Sequence, residues 1–314
     1  MTGANTSKTI NEIFRKWFVY VIFVVLVILF SLLTDRFMTV ENILVVARQT
    51  VTIALLAFGM TFVITTGEID LSVGSVVALT GMITTLTLYH GQGIFVASMA
   101  GILVGLTFGL ANGLLTTQLG IPSFLVTLGT YGIARGIALT VTGTRTVVLF
   151  NQDFAVIWGT GNILGIPVSV LWVLLFLGIC ILLYNFTRFG NYIKATGGNK
   201  VAARYSGVKT NVVITGAFVI SGLMAGVTGL LMVARINSGR PEMGAGFALD
   251  AITATILGGT LLSGGKGSII NAFTGAVIIT MITNALVIMG IQSNIQMIIK
   301  GAIVILAVSI NDRR

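Results

Sequence analysis

Residues 186–211 read FTRFGNYIKATGGNKVAARYSGVKTN, and this stretch decides how the rest of the chain is organised. It has no acidic residue, and its basic residues are Arg188, Lys194, Lys200, Arg204 and Lys209. The flanking apolar runs, 168–183 and 212–233, approach or reach the length of about 20 residues that a membrane-spanning helix needs. Short loops rich in Lys and Arg stay on the cytoplasmic side of a membrane. The stretch is therefore predicted to be a basic cytoplasmic hairpin between two spans, where a soluble partner acts on a membrane protein.

The composition excludes a water-soluble globular protein. Of the 314 residues, 55% are hydrophobic and 9% are charged, whereas a soluble domain has about 25% charged residues. The 39 glycines are typical of closely packed and broken membrane helices. The net charge of +9 comes mostly from the tails and from 186–211, without the interleaved aromatic residues of a nucleic-acid site. Membrane lipid is therefore the expected surrounding, and nucleic-acid binding is not expected.

The apolar runs predict ten membrane-spanning helices, so the expected fold is an all-α polytopic membrane protein. The predicted spans are 17–34, 50–66, 72–89, 94–118, 122–142, 166–185, 212–234, 249–262, 268–289 and 294–311. The basic residues of the inner segments outnumber those of the outer segments if both termini are cytoplasmic. The eighth span is short and ends in glycine pairs, which indicates a broken or partly unwound helix.

A weak internal repeat suggests an inverted-topology plan within one transmembrane domain, 1–314. Asn112 and Asn284 each precede the pattern Gly-Ile-x-Ser, and Asp70 and Asp250 each precede the pattern Leu-x-Gly. Spans two to five and seven to ten would then run in opposite senses. The domain comprises a cytoplasmic tail at 1–16, a first repeat at 50–142, an outer loop at 143–165, the cytoplasmic loop at 186–211 and a second repeat at 212–311.

Signals for enzymatic chemistry are weak. The segment 259–268 resembles a phosphate-binding loop, but Gly265 stands where that motif needs Lys, and Gly267 follows Lys266 where it needs Ser or Thr. Cys180 and His90 are the single cysteine and the single histidine, so neither a metal pair nor a catalytic triad is expected. We predict that this chain is not an enzyme and binds no cofactor or metal by itself.

The bend between the second and third spans, 67–74, contains two carboxylates, Glu68 and Asp70. Asp70 or Ser72 would cap the third helix at the cytoplasmic surface. Alternatively, the bend, with Glu68, Asp70, Ser72 and Gly74, forms part of a gate or of a transport path. Because all acidic residues fall at span boundaries or in loops, proton coupling is disfavoured.

The polar residues inside the spans are mostly neutral. They either hold helices together or line a path for an uncharged, polyhydroxylated solute, and the sequence leaves both readings open. The candidate pathway residues are Asn112, Thr127, Tyr131 and Asn284. Arg135 and Lys300 also fall inside spans, where snorkelling or an internal partner is expected.

Three segments carry a resemblance to a known family. Residues 67–75, GEIDLSVGS, resemble its signature, in which D-L-S-V-G-S follows a glycine and variable positions that are held here by Glu68 and Ile69. The other two segments are 188–207 and 249–267, which contain RFGNYIKATGGN and LDAITATILGGT. On these motifs and on span order, nearly the whole chain resembles the membrane permeases of sugar-type ABC importers, close to the ribose permease family.

The resemblance implies a permease in the cytoplasmic (inner) membrane of a bacterium, where two copies pair and a monosaccharide, most readily ribose, crosses between them. A cytoplasmic ABC ATPase with its own ATP and Mg²⁺ would dock on 186–211, and a periplasmic or surface-tethered sugar-binding protein would deliver the sugar. Lys200 and Arg204 would face the ATPase, and Ala202 and Ala203 would pack inward. The implied coupling residues are Gly198, Asn199, Lys200, Ala202, Ala203, Arg204, Ser206 and Gly207.

An alternative of another class stays open, which is a self-sufficient secondary carrier of a small polar solute, driven by protons or sodium. The internal repeat is the feature that suggests it, because many such carriers are built from inverted repeats.

Overall fold

The structure is a computed structural model that describes residues 19–312. The helices within this range are α1 Val19–Leu33, α2 Val40–Thr65, α3 Val73–Tyr89, α4 Ile94–Gln118, α5 Ser123–Thr140, α6 Gln152–Ala155, α7 Val168–Phe186, α8 Arg188–Gly198, α9 Lys200–Tyr205, α10 Thr210–Ile236, α11 Phe247–Leu257, α12 Ile269–Ile288 and α13 Ser293–Asp312. A π-helical turn, Val156–Thr160, follows α6. The strands are β1 Val147–Val148, β2 Asn162–Ile163, β3 Ile166–Pro167 and β4 Ser238–Gly239. The predicted tail 1–16 lies outside the described residues.

The chain is an all-α polytopic membrane protein, as predicted. Among the described residues, five helices are long and apolar enough to cross a membrane, and these are α2, α4, α7, α10 and α12. Helices α1, α3, α11 and α13 are shorter and apolar. The strands are two residues each and form two small antiparallel pairs.

Helix α2 begins ten residues earlier than the predicted span, at Val40 rather than at residue 50. The Thr39 side chain accepts a hydrogen bond from the Asn42 amide at 3.3 Å, which caps the helix. The first turns carry polar residues such as Glu41 and Gln49 and are largely exposed. A hydropathy pattern therefore places the start too late, because the cap is a local hydrogen bond that hydropathy does not report.

Helix α10 is the centre of the molecule. Its 27 residues span about 40 Å, and it packs against α2, α3 and α4. Glycine allows the closest of these contacts, because a Cβ on Gly105 would collide with the Gly222 carbonyl and one on Gly222 with the Gly105 carbonyl. Such backbone approach is how membrane helices gain packing energy where lipid offers no hydrophobic driving force.

The contacts between helices come in matching pairs. Helix α10 packs on α4 as α2 packs on α12, and α3 lies against α4 and α5 as α11 lies against α12 and α13. Helices α2 and α10 also pack on each other. If α2–α5 are exchanged for α10–α13, the helices of the two predicted repeats, each of these contacts becomes another contact of the same set.

Two of the helices begin deep within the protein rather than at its ends. Helix α3 packs along the second half of α10, where Gly81 lies beside Val233, and it is preceded by a non-helical segment, 66–72. Helix α11 has only 11 residues. The starts of α3 and α11 meet at Gly74 and Gly244, whose backbones are in direct contact. Helices α3 and α11 have 17 and 11 residues and are shorter than the five long helices, and the predicted broken eighth span is one of this pair.

The two ends of the molecule differ. One end carries α8 and α9 and is called the hairpin end below. At the opposite end β1 pairs with β4, with Val147 opposite Gly239 and Val148 opposite Ser238. The predicted outer loop 143–165 is not wholly a loop, because it contains α6 and the π-helical turn. Its Trp158 indole donates to Ser98 Oγ at 3.0 Å, which ties this segment to α4.

Candidate functional site

The hairpin 186–211 folds as two short helices, α8 and α9, because two side chains cap them. Thr187 Oγ1 accepts from the Gly190 amide at 3.3 Å, and Asn199 Oδ1 accepts from the Ala202 amide at 2.9 Å. Each bond satisfies an amide that the first turn of a helix leaves without a partner. Gly198 ends α8, and Gly207 ends the turn after α9 with a φ of +85°. Sequence reasoning expected a hairpin here, and these caps explain its two helices.

The outer face of α9 is exposed, basic and partly apolar. Lys200, Val201, Arg204 and Tyr205 line a shallow cavity of about 310 Å³, and Tyr205 is 90% exposed. Ala203 is buried on the inner face, as predicted. Ala202 is exposed, so the prediction that it packs inward is wrong. The reason is the turn of the helix, since adjacent residues point about 100° apart and cannot share the one narrow inner stripe.

The hairpin rests on two other segments through backbone contacts. A Cβ on Gly197 would collide with the Thr65 carbonyl at the end of α2. The same carbonyl accepts a bond from the Gly265 amide at 2.9 Å. Tyr184 and Thr65 also share a hydroxyl hydrogen bond of 3.0 Å. We call this contact the junction; it joins α8, the end of α2 and the loop 258–268.

The segment 259–268, which resembles a phosphate-binding loop, is part of this junction. The Leu261 amide donates to the Lys266 carbonyl at 3.0 Å, and the Gly264 amide to the Leu261 carbonyl at 3.0 Å. These bonds close a turn in which Gly264 and Gly265 have φ values of +87° and +81°. The glycines therefore serve the turn and the close approach to α8.

The bend 66–72 is linked to the hairpin and to the helices around it. Lys200 Nζ lies 3.8 Å from the Glu68 carboxylate. Two residues on, the Asp70 side chain is 1% exposed and accepts three hydrogen bonds. They come from the Ser72 amide at 3.0 Å, Ser72 Oγ at 2.6 Å and Ser221 Oγ at 2.8 Å.

The bonds continue from Ser72 into α4 and α5. Asn112 Nδ2 donates to Ser72 Oγ at 2.9 Å, and Thr130 Oγ1 donates to Asn112 Oδ1 at 2.7 Å. We call Asp70, Ser72, Asn112, Thr130 and Ser221 the Asp70 cluster. It fixes the bend to three helices, since a buried carboxylate is tolerated where hydrogen bonds satisfy it.

The Asp70 cluster corrects one sequence expectation and adds two residues. Asp70 is not at an exposed helix end, so its expected cytoplasmic exposure is wrong. Ser72 stands at the cap position of α3 but makes no side-chain capping bond. Thr130 and Ser221 were missed, because Ser221 is 151 positions from Asp70 and no local pattern marks it.

The four candidate pathway residues do not form one site. Asn112 belongs to the Asp70 cluster, and Thr127 lies next to it, donating to the Ile69 carbonyl at 3.3 Å. Tyr131 is on an exposed part of α5. Asn284 lies near the opposite end, where its Nδ2 donates to Asn42 Oδ1 at 2.9 Å.

A second group of charges surrounds the start of α11. Lys300 Nζ lies 3.0 Å from Asp250 Oδ2, joining α13 to α11. Arg235, at the end of α10, donates to the Arg48 carbonyl at 3.2 Å and lines the same cavity. Arg135 donates to the Pro241 carbonyl. The predicted internal partners of Lys300 and Arg135 are thus present. We call Asp250, Lys300 and Arg235 the Asp250 cluster.

Metal ligation has no candidate cluster within residues 19–312, where no three His, Cys, Asp or Glu side chains are grouped to hold an ion. Cys180 is buried as a free thiol, as predicted.

Comparison with known proteins places this architecture among transport permeases. A family model described as the permease component of the branched-chain amino acid transport system matches residues 42–308. The ribose import permease of Escherichia coli (strain K12) is 36% identical over 295 residues, which cover 92% of this chain and 91% of the relative. No solved structure matches.

Two further relatives have a similar sequence identity and coverage. The ribose import permease of Bacillus subtilis (strain 168) is 36% identical, with 92% of this chain and 90% of the relative covered. The D-allose transport system permease of Escherichia coli (strain K12) is 38% identical, with 93% and 90% covered.

Proposed function

This chain belongs to the family of transport-system permease components whose model it matches, and we propose that it is the membrane subunit of an ABC importer for a monosaccharide. It lies in the inner membrane of a bacterium. A separate ATPase supplies the energy, and this chain has no enzymatic activity of its own. The similar relatives are named for ribose or D-allose, so ribose is the first sugar to test.

The observation that carries this proposal is the hairpin. It presents Lys200, Arg204, Val201 and Tyr205 outward, which suits docking to a soluble protein with a polar or acidic groove. Its inner side touches the ends of α2 and of the loop after α11. A push on the hairpin would thus reach both α3, through Glu68, and α11, through the loop 258–268.

The coupling must come from contacts that differ between two states of the permease, because a partner with equal affinity for both shifts nothing. The Lys200–Glu68 pair at 3.8 Å is one contact that such a movement would lengthen or shorten. In this proposal Gly198, Asn199, Ser206 and Gly207 shape the hairpin, and Glu68, Asp70, Ser72 and Gly74 form the bend that it moves.

The topology is part of the proposal. We infer ten crossings, counting α1, α3, α5, α11 and α13 with the five long helices, and both termini in the cytoplasm. The matched helix contacts support an inverted repeat of α2–α5 and α10–α13. A second copy would pack on the exposed side of α5, where Gly129, Gly132 and Gly136 have open space around them.

A sugar-binding protein would meet the opposite end, where β1 and β4 join the two long outer segments. Sugar selectivity would lie largely in that partner. The ion-coupled carrier is not favoured by the relatives, which are named as import permeases. Purified chain alone in liposomes with an imposed proton or sodium gradient tests it, and accumulation of D-ribose there would restore the carrier hypothesis.

The docking role is tested by reversing charge on α9. Arg204→Glu and Val201→Glu should each reduce co-purification of the ATPase and ATP-driven ribose uptake at least tenfold, because both side chains are exposed. Arg36→Glu, an equally exposed change in the turn between α1 and α2, is the matched control. Unchanged uptake and co-purification in the α9 variants would remove the docking role.

The orientation is tested by cysteine labelling. Cys180 is the one cysteine of the sequence and is buried, so the unmodified chain should give little background. In intact cells, a membrane-impermeant thiol reagent should label Leu164→Cys and not Tyr205→Cys. The reverse pattern would place the hairpin outside and reject the mechanism.

A further inference from the structure

A cavity of about 220 Å³ lies toward the opposite end, between α2, α10, α11, α12 and α13. Its polar lining consists of Gln49, Thr52, Arg235, Asp250, Thr280, Thr283 and Lys300. Its apolar lining consists of Ile53, Phe247, Ile279 and Val287. None of these residues belongs to the hairpin, the junction or the Asp70 cluster.

The charges in this cavity are unusual for a membrane protein. Asp250 and Lys300 lie 3.0 Å apart, with side chains 13% and 30% exposed. Placing charged groups among membrane-spanning helices is costly, and such groups usually mark a functional path or a structural pair. The Asp70 cluster is buried and closely packed. This pair instead borders open space.

The neutral polar groups add to that contrast. Thr280 is buried, and its Oγ1 has no hydrogen-bond partner within the part of the chain that the structure describes. Thr52 is also buried on α2. Other buried hydroxyls of the described residues, such as those of Thr80 and Thr84, also lack a partner, so Thr280 is set apart by its place in the lining of the cavity, where a bound molecule would supply one.

The size and the mixed lining select a class of ligand. A cavity of about 150 Å³ holds a benzene ring, so this one accommodates a single five- or six-membered ring with its hydroxyl groups. A pyranose or furanose has apolar ring faces and a rim of hydroxyls that both donate and accept. The carboxylate accepts, the ammonium and guanidinium groups donate, the amide and hydroxyl groups do both, and Phe247 offers an aromatic surface.

We propose that this cavity is a binding site for one neutral monosaccharide within the permease itself. The inference rests on the proposed function and deepens it, since it gives the permease a site of its own besides that of the binding protein. A neutral sugar suits the site because Asp250 and Lys300 pair with each other, and the remaining cation, Arg235, already donates to the Arg48 carbonyl. Bound hydroxyls would share that ion pair and satisfy Thr280.

The experiment uses the full chain in lipid nanodiscs, with radiolabelled D-ribose and D-allose as probes. Thr280→Phe should fill the cavity and weaken binding at least tenfold. Thr274→Phe is the control, because it places the same ring on α12 two turns nearer the hairpin end. Lys300→Gln removes a charge and Gln49→Ala removes an amide, both without adding bulk. Each should also weaken binding, which keeps the test decisive if Thr280→Phe fails to fold.

The same variants are then measured in the complete importer, as sugar uptake and as ATP hydrolysis without sugar. Uptake should fall at least tenfold in Thr280→Phe, while Thr274→Phe leaves both uptake and basal hydrolysis at the unmodified level. Absence of binding of either probe to the unmodified chain, or uptake unaffected by all cavity variants, would overturn the site and leave the importer proposal intact. Failure of the complete importer to take up any sugar would instead reject the proposed function.

A competition experiment tests whether the cavity binds a neutral or an anionic ligand. Ribose 5-phosphate should compete at least tenfold more weakly than ribose, because Asp250 repels the phosphate, Lys300 is already paired and Arg235 already donates to the Arg48 carbonyl. Stronger competition by the phosphate would assign the cavity to anions and overturn the neutral-sugar proposal.

Discussion

Asp70 and Asp250 lie near the starts of two shorter helices, α3 and α11, yet their surroundings are opposite. Asp70 is 1% exposed and accepts three hydrogen bonds from the neutral residues Ser72 and Ser221. Asp250 pairs with the cation Lys300 and lines a cavity. The backbones of Gly74 and Gly244 join the two regions.

This difference indicates that the Asp70 region is held in place and that the Asp250 region can rearrange. Hydrogen bonds of the Asp70 cluster hold the bend to α4, α5 and α10, so the carboxylate cannot leave without stranding several polar groups. The Asp250 pair joins only α11 and α13 and has open space beside it. We expect the Asp70 region to transmit movement as a rigid unit and the Asp250 region to change when a solute arrives.

We expect the largest effect from a change at the contact between the two regions, where Gly74 meets Gly244. In Gly74→Ala the new Cβ would collide with the Gly244 carbonyl, and forced repacking of a tight core costs about 1–3 kcal/mol. Among the variants proposed below and here, we expect Gly74→Ala to give the largest fall in the thermal unfolding midpoint, together with loss of sugar uptake. Gly178→Ala on α7, where no atom lies within 4 Å of the new Cβ, is the control and should change neither measurement.

The two carboxylates are then compared directly. Asp70→Asn introduces a donor where three donors converge, so it should lower thermal stability by about 1–3 kcal/mol and impair uptake while the ATPase still co-purifies. Asp250→Asn should cost less stability, because Lys300 keeps partial access to solvent. Equal stability losses, or wild-type uptake by Asp70→Asn, would contradict a rigid Asp70 bend.

Lys300→Met tests whether the Asp250 pair holds α11 to α13. It should destabilise the protein by about 1 kcal/mol, a value discounted because Lys300 is 30% exposed. Combining it with Asp250→Asn should cost less than the sum of the single changes, because the stranded charge is gone. Strict additivity in thermal unfolding would mean that the two side chains are not coupled.

The smallest effect is expected at the hairpin end. Glu68 and Lys200 are 3.8 Å apart and the Lys200 side chain is 47% exposed, so Glu68→Gln should change stability by less than about 1 kcal/mol. That change should shrink further as salt is added, because exposed charges are screened. A larger, salt-independent loss would show that the pair belongs to the buried part of the bend.

Much of the fold follows from the sequence because lipid imposes a simple rule. Every backbone amide in the membrane must be satisfied within the segment, so a long apolar run becomes a helix. Helix α4 has the predicted bounds, 94–118. The rule does not cover capped polar turns, and the start of α2 and the helical turns inside 143–165 were therefore missed.

The sites were predictable only in part. The motifs at 67–74 and 186–211 stand out because they interrupt apolar sequence, and both lie where chain segments meet. Ser221, Thr130 and the exposure of Ala202 could not be read from the sequence, since they depend on which helix faces which. The cavity beside Asp250 draws on five helices and has no sequence signal.

The sequence by itself determined that this chain is a helical membrane protein with one basic hairpin, because hydropathy and charge act locally along the chain. Tertiary structure alone decided that Asp70 is buried among hydrogen-bond donors and that Asp250 faces a cavity. Both carboxylates occur in similar local sequence, and the free energy of a buried charge depends on the groups that distant segments bring to it.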